Sequence, residues 1–226
     1  MKITIIGAGR IGCYTGYLLA RSGHEVSIYE EHSAIGLPIQ CTGLLTKDFD
    51  QFNIPKYKFL INVLNEVEIN SPKQQAKITV KEYLICRQKF DKYIAELARN
   101  AGANIFLNHS FIKRNNNKII VKNNKTKQSK EFSPDIVIAA DGPLSKTAKA
   151  FQFYYKKRKN YYGIQATVKG NFNAKSYKTF FGKAICPDFF AWVVPESNNI
   201  ARVGLASRKK TKLYFNSFIK KNNLRF

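Results

Sequence analysis

Lys2-Ile3-Thr4-Ile5-Ile6-Gly7-Ala8-Gly9-Arg10-Ile11-Gly12-Cys13-Tyr14 lies at the start of the chain, and its reading decides the fold. The run at 3–6 is β-branched throughout and reads as a buried strand. Tyr14, Leu18, Leu19 and Ala20 then recur at helical spacing. Between strand and helix, Gly7 permits the tight turn and Gly9 lets the backbone approach a pyrophosphate with no Cβ in the way. Gly12 lets the helix pack closely on the strand. The helix N-terminus meets phosphates with free N–H groups and the positive end of its dipole. A second apolar run, residues 26–29, ends in Glu30, about 20 residues past the glycines, where a carboxylate accepts hydrogen bonds from the hydroxyls of an adenosine ribose. Strand before, helix after and acid at this distance make the glycine pattern specific. Gly7, Gly9, Ile11, Gly12 and Glu30 are therefore candidate nucleotide-binding residues.

Composition narrows the remaining classes. With 226 residues and 44% apolar content, the chain can bury a sizeable core in one or two domains. No stretch reaches the roughly 18 to 20 apolar residues of a membrane span, and the run at 3–6 is too short for a signal peptide. The expectation is a cytosolic protein. Four scattered cysteines with no Cys-x-x-Cys pair, and only three histidines, argue against a structural zinc, so no metal site is expected and the thiols are free. The formal charge of +23 comes mostly from lysines spread along the chain, beside abundant Asn, Ile, Phe and Tyr, all residues with A/T-rich codons. Genome bias explains that pattern without nucleic-acid binding; its functional alternative is attraction to an anionic membrane surface. Lys156-Lys157-Arg158-Lys159 and Lys209-Lys210 are the real clusters.

Residues 31–46 read as a loop, long enough within a compact domain to be functional. Its Ile35-Gly36-Leu37-Pro38-Ile39-Gln40-Cys41-Thr42-Gly43, following Glu30, resembles the geranylgeranyl reductase family, flavoproteins that saturate the double bonds of polyprenyl chains. The resemblance implies that this loop runs along FAD, with Gln40, Cys41 and Gly43 as contacts and the cysteine facing the isoalloxazine end. Further on, Arg87 and the amphipathic helix through Phe90, Asp91, Ile94 and Ala98, ended by Gly102, resemble the family's arginine and Phe-Asp helix, where the arginine contacts the flavin nucleotide. Residues 103–107 read as a strand, and 111–114, 119–121 and the stretch ending at Phe132 as a three-stranded meander. By the same resemblance, Phe111 touches the adenine through its backbone. The apolar strand 135–140 ends in Asp141-Gly142, with Ser145 following, and resembles the second FAD motif of hydroxylase-like flavoproteins.

Short β-rich runs at 59–64, 67–69 and 76–80, and again at 162–168, 177–181, 189–194 and 200–206, alternate with period two and are rich in aromatic residues, as in an antiparallel sheet. Phe190-Ala191-Trp192-Val193-Val194-Pro195 resembles the family's aromatic-x-Trp-x-aromatic-Pro segment, which lines the isoprenoid tunnel, although Phe190 stands where Tyr is usual and Val194 where Phe is usual. Phe190, Trp192 and Pro195 are thus candidate substrate contacts. Arg10 likewise replaces a proline common in the family's fingerprint.

The expected fold is α/β: a Rossmann-like FAD-binding domain with a three-stranded meander, from residues 1–50 and 81–150, and a β-rich α+β substrate domain with an antiparallel sheet, from 51–80 and 151–226. The family carries a third motif beyond the point where this chain stops, so the resemblance implies a fragment, a truncated gene product, or one piece of a split protein with a separate C-terminal polypeptide. The activity implied is FAD-dependent saturation of isoprenoid double bonds of a geranylgeranyl lipid such as digeranylgeranylglycerophospholipid. An external electron donor and peripheral contact with the inner face of the membrane follow from it. A cysteine thiol is too weak an acid to make a free carbocation from an alkene, so Cys41 as the catalytic residue requires proton and hydride transfer to be coupled, or else serves geometry. Two rivals share the first two motifs: a hydroxylase-type FAD monooxygenase, and a non-catalytic flavin-binding fragment.

Overall fold

The computed structural model describes residues 1–154 and 158–224. Lys156 and Lys157 of the first basic cluster, and the last two residues, lie outside them. The chain runs β1 (Lys2–Ile6), α1 (Arg10–Arg21), β2 (Glu25–Tyr29), β3 (Leu44–Thr46), β4 (Leu60–Asn70), β5 (Gln75–Ile85), α2 (Arg87–Asn100), β6 (Asn104–Phe106) and β7 (His109–Asn115). It continues through β8 (Lys118–Asn123), β9 (Ser129–Phe132), β10 (Ile136–Ala139), α3 (Lys146–Ala150), β11 (Tyr162–Lys169), β12 (Ser176–Gly182), β13 (Cys186–Pro195), β14 (Ile200–Ser207) and α4 (Thr211–Lys221).

Two compact units result, Met1–Gln40 with Arg87–Lys157, and Cys41–Cys86 with Arg158–Phe226. The chain passes between them at Gln40/Cys41 and Cys86/Arg87, not at residues 50 and 81. The physical reason is strand pairing: Leu44–Thr46 is a strand, not loop, and pairs with β5, whose Tyr83, Leu84 and Ile85 belong to the second unit's sheet.

The first unit holds a four-stranded parallel sheet in the order β10-β1-β2-β6 and the meander β7-β8-β9. Ile3, Ile5 and Ile6 are all buried because a parallel strand is covered on both faces. Gly12, Cys13 and Gly16 form the buried face of α1, and a Cβ on Gly16 would stand 2.6 Å from the Ile28 Cδ1 atom, so helix and sheet touch almost backbone to side chain. Phe90, Ile94 and Ala98, spaced by four, bury the inner stripe of α2. Phe111, Ile119 and Val121 of the meander share a core with Ile6 and Tyr29.

The second unit is one seven-stranded sheet, β11-β14-β13-β12-β4-β5-β3, antiparallel except where β12 runs parallel to β4. The sequence's separate runs between 59 and 80 are two long strands, β4 and β5, with register shifts between Leu60 and Asn62 and between Leu64 and Glu66. The helix α4, which composition did not announce, puts Phe215, Phe218 and Ile219 against Ala191, Val193, Val203 and Leu205. Each such buried side chain contributes about 1.5–3 kcal/mol. With that face of β13 and β14 covered by α4, alternation sends Phe190, Trp192, Arg202 and Gly204 to the other face.

Candidate functional site

In the first unit the site is built on the turn after β1. Gly7, at φ +102°, donates its N–H to Tyr29 O at 2.7 Å, and a Cβ there would stand 2.4 Å from Ala140 O. At Gly12 a Cβ would stand 2.0 Å from Gly7 O, so both glycines are demanded by the protein's own backbone. Gly9 is different. Its backbone is extended, and nothing lies within 4 Å of where its Cβ would be. No side chain caps α1 and no acid stands in its first turn, so its leading N–H groups are left for an anionic ligand. Ile11, on that first turn, is 66% exposed.

Glu30 is only 8% exposed and closes the turn from below. Its Oε2 accepts from Ala8 N at 2.7 Å, while Oε1 accepts from His32 N at 3.0 Å and stands 2.6 Å from His32 Nδ1. The carboxylate thereby fixes the Gly-x-Gly backbone, a role that the ribose argument alone does not contain, and His32 is a neighbour the sequence did not single out. Cys13 is buried behind the turn and burial pushes its thiol up to about 12, which makes it inert.

Gly36, at φ +78°, lies so close to α2 that a Cβ would be 3.0 Å from the Gln88 Cα atom, which seats the loop after Glu30 on the start of that helix. There Arg87 Nη2 donates to both carboxylate oxygens of Asp91, at 2.8 and 2.9 Å, in a buried pair that holds the guanidinium in one orientation. Phe111 spends its side chain in the core, which leaves only main chain for a ligand. Asp141 accepts from Ser145 Oγ, from Thr147 N at 3.1 Å and from Thr147 Oγ1 at 3.0 Å, so its carboxylate shapes the turn at Gly142 (φ +82°) and the start of α3.

In the second unit the sheet face away from α4 carries a ladder of rings. Phe181 and Phe190 centroids are 5.3 Å apart, and Phe190 and Trp192 are 6.0 Å apart. Register aligns Gln165, Gly204, Trp192 and Thr179 across four strands. A Cβ on Gly204 would stand 2.5 Å from the Trp192 ring, so the indole lies over that glycine, and its Nε1 donates to Gln165 Oε1 at 3.2 Å. Thr42 Oγ1 donates to the same oxygen at 2.6 Å. The cysteine loop and the aromatic strand are therefore tied together by Gln165, which the sequence reading passed over.

Arg202 is the second tie. It is 9% exposed, with Nε donating to Glu196 Oε1 at 2.7 Å and Nη1 donating to Thr42 O and, at 3.1 Å, to Ile85 O. An arginine inside the apolar run Ile200–Ser207 was the one sequence signal for it. Between these ties Cys41 is exposed and accepts from Gly43 N at 3.4 Å, while Gly43, buried at φ +87°, accepts from Ile85 N at 2.9 Å. Gln40 is exposed, and Pro195 is buried at the end of β13 with its carbonyl accepting from Asn62 Nδ2 at 3.0 Å. Tyr177 packs with Trp192 on the cluster of Leu64, Leu84 and Val194. Burial, and then the Glu82 carboxylate hydrogen-bonded to it, push its phenol up to about 12, so it stays a donor.

Residues 5–50 match the family described as NAD(P)-binding Rossmann-like domain. The digeranylgeranylglycerophospholipid reductase 2 of Methanosphaera stadtmanae is 29% identical over 223 residues, 92% of this chain and 56% of the relative. The solved structure of a geranylgeranyl bacteriochlorophyll reductase-like protein from Thermoplasma acidophilum superposes with a TM-score of 0.87 at 22% identity, covering 97% of this chain and 61% of that one. The myxobacterial FAD-dependent halogenase CndH superposes at 0.74 with 13% identity, covering 98% and 57%. At these identities the structures speak for the fold alone. The fold and the glycine cradle define a Rossmann-type dinucleotide-binding protein of the architecture shared by flavin-dependent reductases and halogenases. Within that class, the chain is similar to proteins named digeranylgeranylglycerophospholipid reductase. It spans 56–61% of the length of curated relatives that it matches.

Proposed function

We propose that this chain binds FAD and acts in the saturation of isoprenoid double bonds of a geranylgeranyl lipid, as the name of its methanogen relative describes for that protein. The ladder Phe181, Phe190 and Trp192 is the observation that carries the reading: a run of rings on the sheet face away from α4 suits a long apolar chain.

The residues of the first unit fit the dinucleotide. Gly9 leaves open the space a Cβ would fill, the free N–H groups of α1 suit the pyrophosphate, Glu30 suits the ribose, and the main chain at Phe111 suits the adenine. Arg87, oriented by Asp91, and the turn at Asp141 and Gly142 are further nucleotide contacts under this reading. FAD, when bound and reduced, supplies the hydride. The chain's own residues do the rest: Phe190 and Trp192 position the prenyl chain and exclude water, whereas Pro195, buried on the α4 side of β13, stands behind them, and Gln165 and Arg202 hold the Cys41–Gly43 segment in a fixed shape. That segment presents Cys41 as an exposed thiol. An external donor must reduce the flavin, and a lipid substrate implies work at the membrane surface; no helix among the described residues is long and apolar enough to cross a membrane.

The test is titration of FAD into the 226-residue chain, followed by turnover of a geranylgeranyl glycerophospholipid under dithionite with mass spectrometry of the lipid. Bound flavin and a gain of two hydrogens per saturated bond are expected. NAD(P)H-driven oxygen consumption with an oxygenated product would establish the monooxygenase rival instead, and flavin binding without any turnover would leave the non-catalytic one.

A further inference from the structure

One corner of the second unit adjoins the aromatic ladder, with Phe189 stacked on Phe190 at 4.4 Å between ring centroids, and adds a set of exposed cations that the ladder does not use. The end of β14, the start of β11 and the first residues of β13 and α4 converge there. Tyr162 pairs with Ser207 in register, and Ser207 Oγ donates to Asp188 Oδ1 at 2.9 Å. Thr211 at the start of α4 donates its hydroxyl to Ser207 O at 3.2 Å, which anchors the helix to the same point.

Chemically the corner is half apolar and half cationic. Leu213, on the first turn of α4, is 62% exposed, and Phe189 is 41% exposed with its ring 5.3 Å from that of Tyr161, itself 45% exposed. Arg208, Lys209 and Lys210 are exposed beside them and line a cleft of about 350 Å³ with Asp188, Ser207 and Tyr214. The Asp188 carboxylate is occupied by Ser207 and by the Arg208 N–H at 3.2 Å. Among the described residues, none of the three cations is in an ion pair.

We infer that this corner is where the chain docks on an anionic lipid bilayer: Leu213, Phe189 and Tyr161 enter the interfacial layer while Arg208, Lys209 and Lys210 meet headgroup phosphates. Exposed aromatic rings and an aliphatic side chain beside long cationic ones are the residue set that an apolar-to-charged boundary selects. A bare nucleic-acid surface gives exposed Leu213 no partner. The inference deepens the reading of a membrane-lipid substrate, because it says how the chain reaches it, yet its test needs neither flavin nor prenyl lipid.

The experiment is co-sedimentation of the full chain with vesicles of phosphatidylglycerol in phosphatidylcholine, against pure phosphatidylcholine. Binding should rise with the anionic fraction and fall as salt screens it. Reversing the corner, R208E with K209E and K210E, should cut partitioning by about 100-fold or more, the order expected for three charges near an anionic surface. Reversing three exposed lysines elsewhere, K73E with K113E and K125E, should cost less than about a tenth of that loss. If the corner triple fails to fold, hydrogen exchange on the unaltered chain serves instead, with vesicle-dependent protection expected over 208–214. Equal losses from the two triple variants, equal binding to neutral and anionic vesicles, no vesicle binding, or binding of single-stranded RNA in place of vesicles would each overturn the assignment. Failure of prenyl reduction would leave it standing, and failure of docking would leave the reductase reading standing.

Discussion

Gly9 in the first unit and Gly204 in the second both lack a side chain so that something else can lie on the backbone, and they differ in what that is. The space at Gly9 is open to 4 Å, whereas the space at Gly204 is filled by the chain's own Trp192 ring at 2.5 Å. The first glycine leaves a surface open, as the proposed pyrophosphate contact needs; the second completes a surface already furnished by the protein. The same contrast runs through each unit. The cradle is main chain and one carboxylate from a single stretch of sequence, while the aromatic face depends on Thr42, Ile85, Gln165, Glu196 and Arg202 brought together from distant segments.

The sharpest test of that contrast is overpacking. Gly204→Val should destabilise the second unit by about 3 kcal/mol or more, because the added atoms meet both the indole and, at 2.7 Å, the Ile164 carbonyl. Chemical denaturation with Trp192 fluorescence reads both the stability and the displaced ring, and an unshifted midpoint would show that the indole moves aside freely.

Arg202→Met follows in size. Loss of the Glu196 pair and of two carbonyl partners should cost about 2–4 kcal/mol, discounted because Glu196 keeps some access to water. Hydrogen exchange at 41–43 should quicken as the cysteine segment loses its anchor. Unchanged exchange there would remove Arg202 from the role of positioning residue.

Gly9→Val should barely touch stability, by about 1 kcal/mol or less, since the site is an N-cap with open space. FAD affinity should nevertheless fall by about 100-fold or more as the Cβ atoms occupy the approach to the pyrophosphate. Parent-level affinity, measured by flavin fluorescence titration, would separate this turn from the cofactor and collapse the distinction between the two glycines.

The smallest effect concerns Glu82. Burial raises its carboxyl, so the folded chain retains a proton that the unfolded chain has released. The stability this brings is fully present below the ordinary carboxylate range and is lost as pH rises through the raised value. Thermal midpoints of the parent should therefore decline relative to those of Glu82→Gln between mildly acidic and neutral pH, by no more than about 2–4 °C. Parallel curves would mean that Tyr177 compensates the charge fully.

Read from residues alone, the first thirty positions carry the strand, the turn, the helix and the acid, because each is a local pattern whose partners lie within one supersecondary unit. The loop motif and the Phe190–Pro195 segment were legible in the same way, as short strings of side chains. What a string cannot carry is register. Whether Trp192 faces α4 or the open side, which glycine lies beneath it, and that Arg202 reaches Thr42 all depend on how β11, β13 and β14 slide against one another, and a shift of one residue would send every side chain to the opposite face. The amphipathic α4 escaped notice for a related reason, since its stripe of Phe215, Phe218 and Ile219 gains meaning only from the Ala191, Val193, Val203 and Leu205 face it covers. Thus the sequence by itself determined the dinucleotide cradle, whose geometry follows from backbone freedom at consecutive residues. The tertiary structure alone decided the aromatic face and the anchoring of Cys41, because strand pairing sets which face each side chain takes, and only then can Arg202 of β14 reach the carbonyl of the distant Thr42.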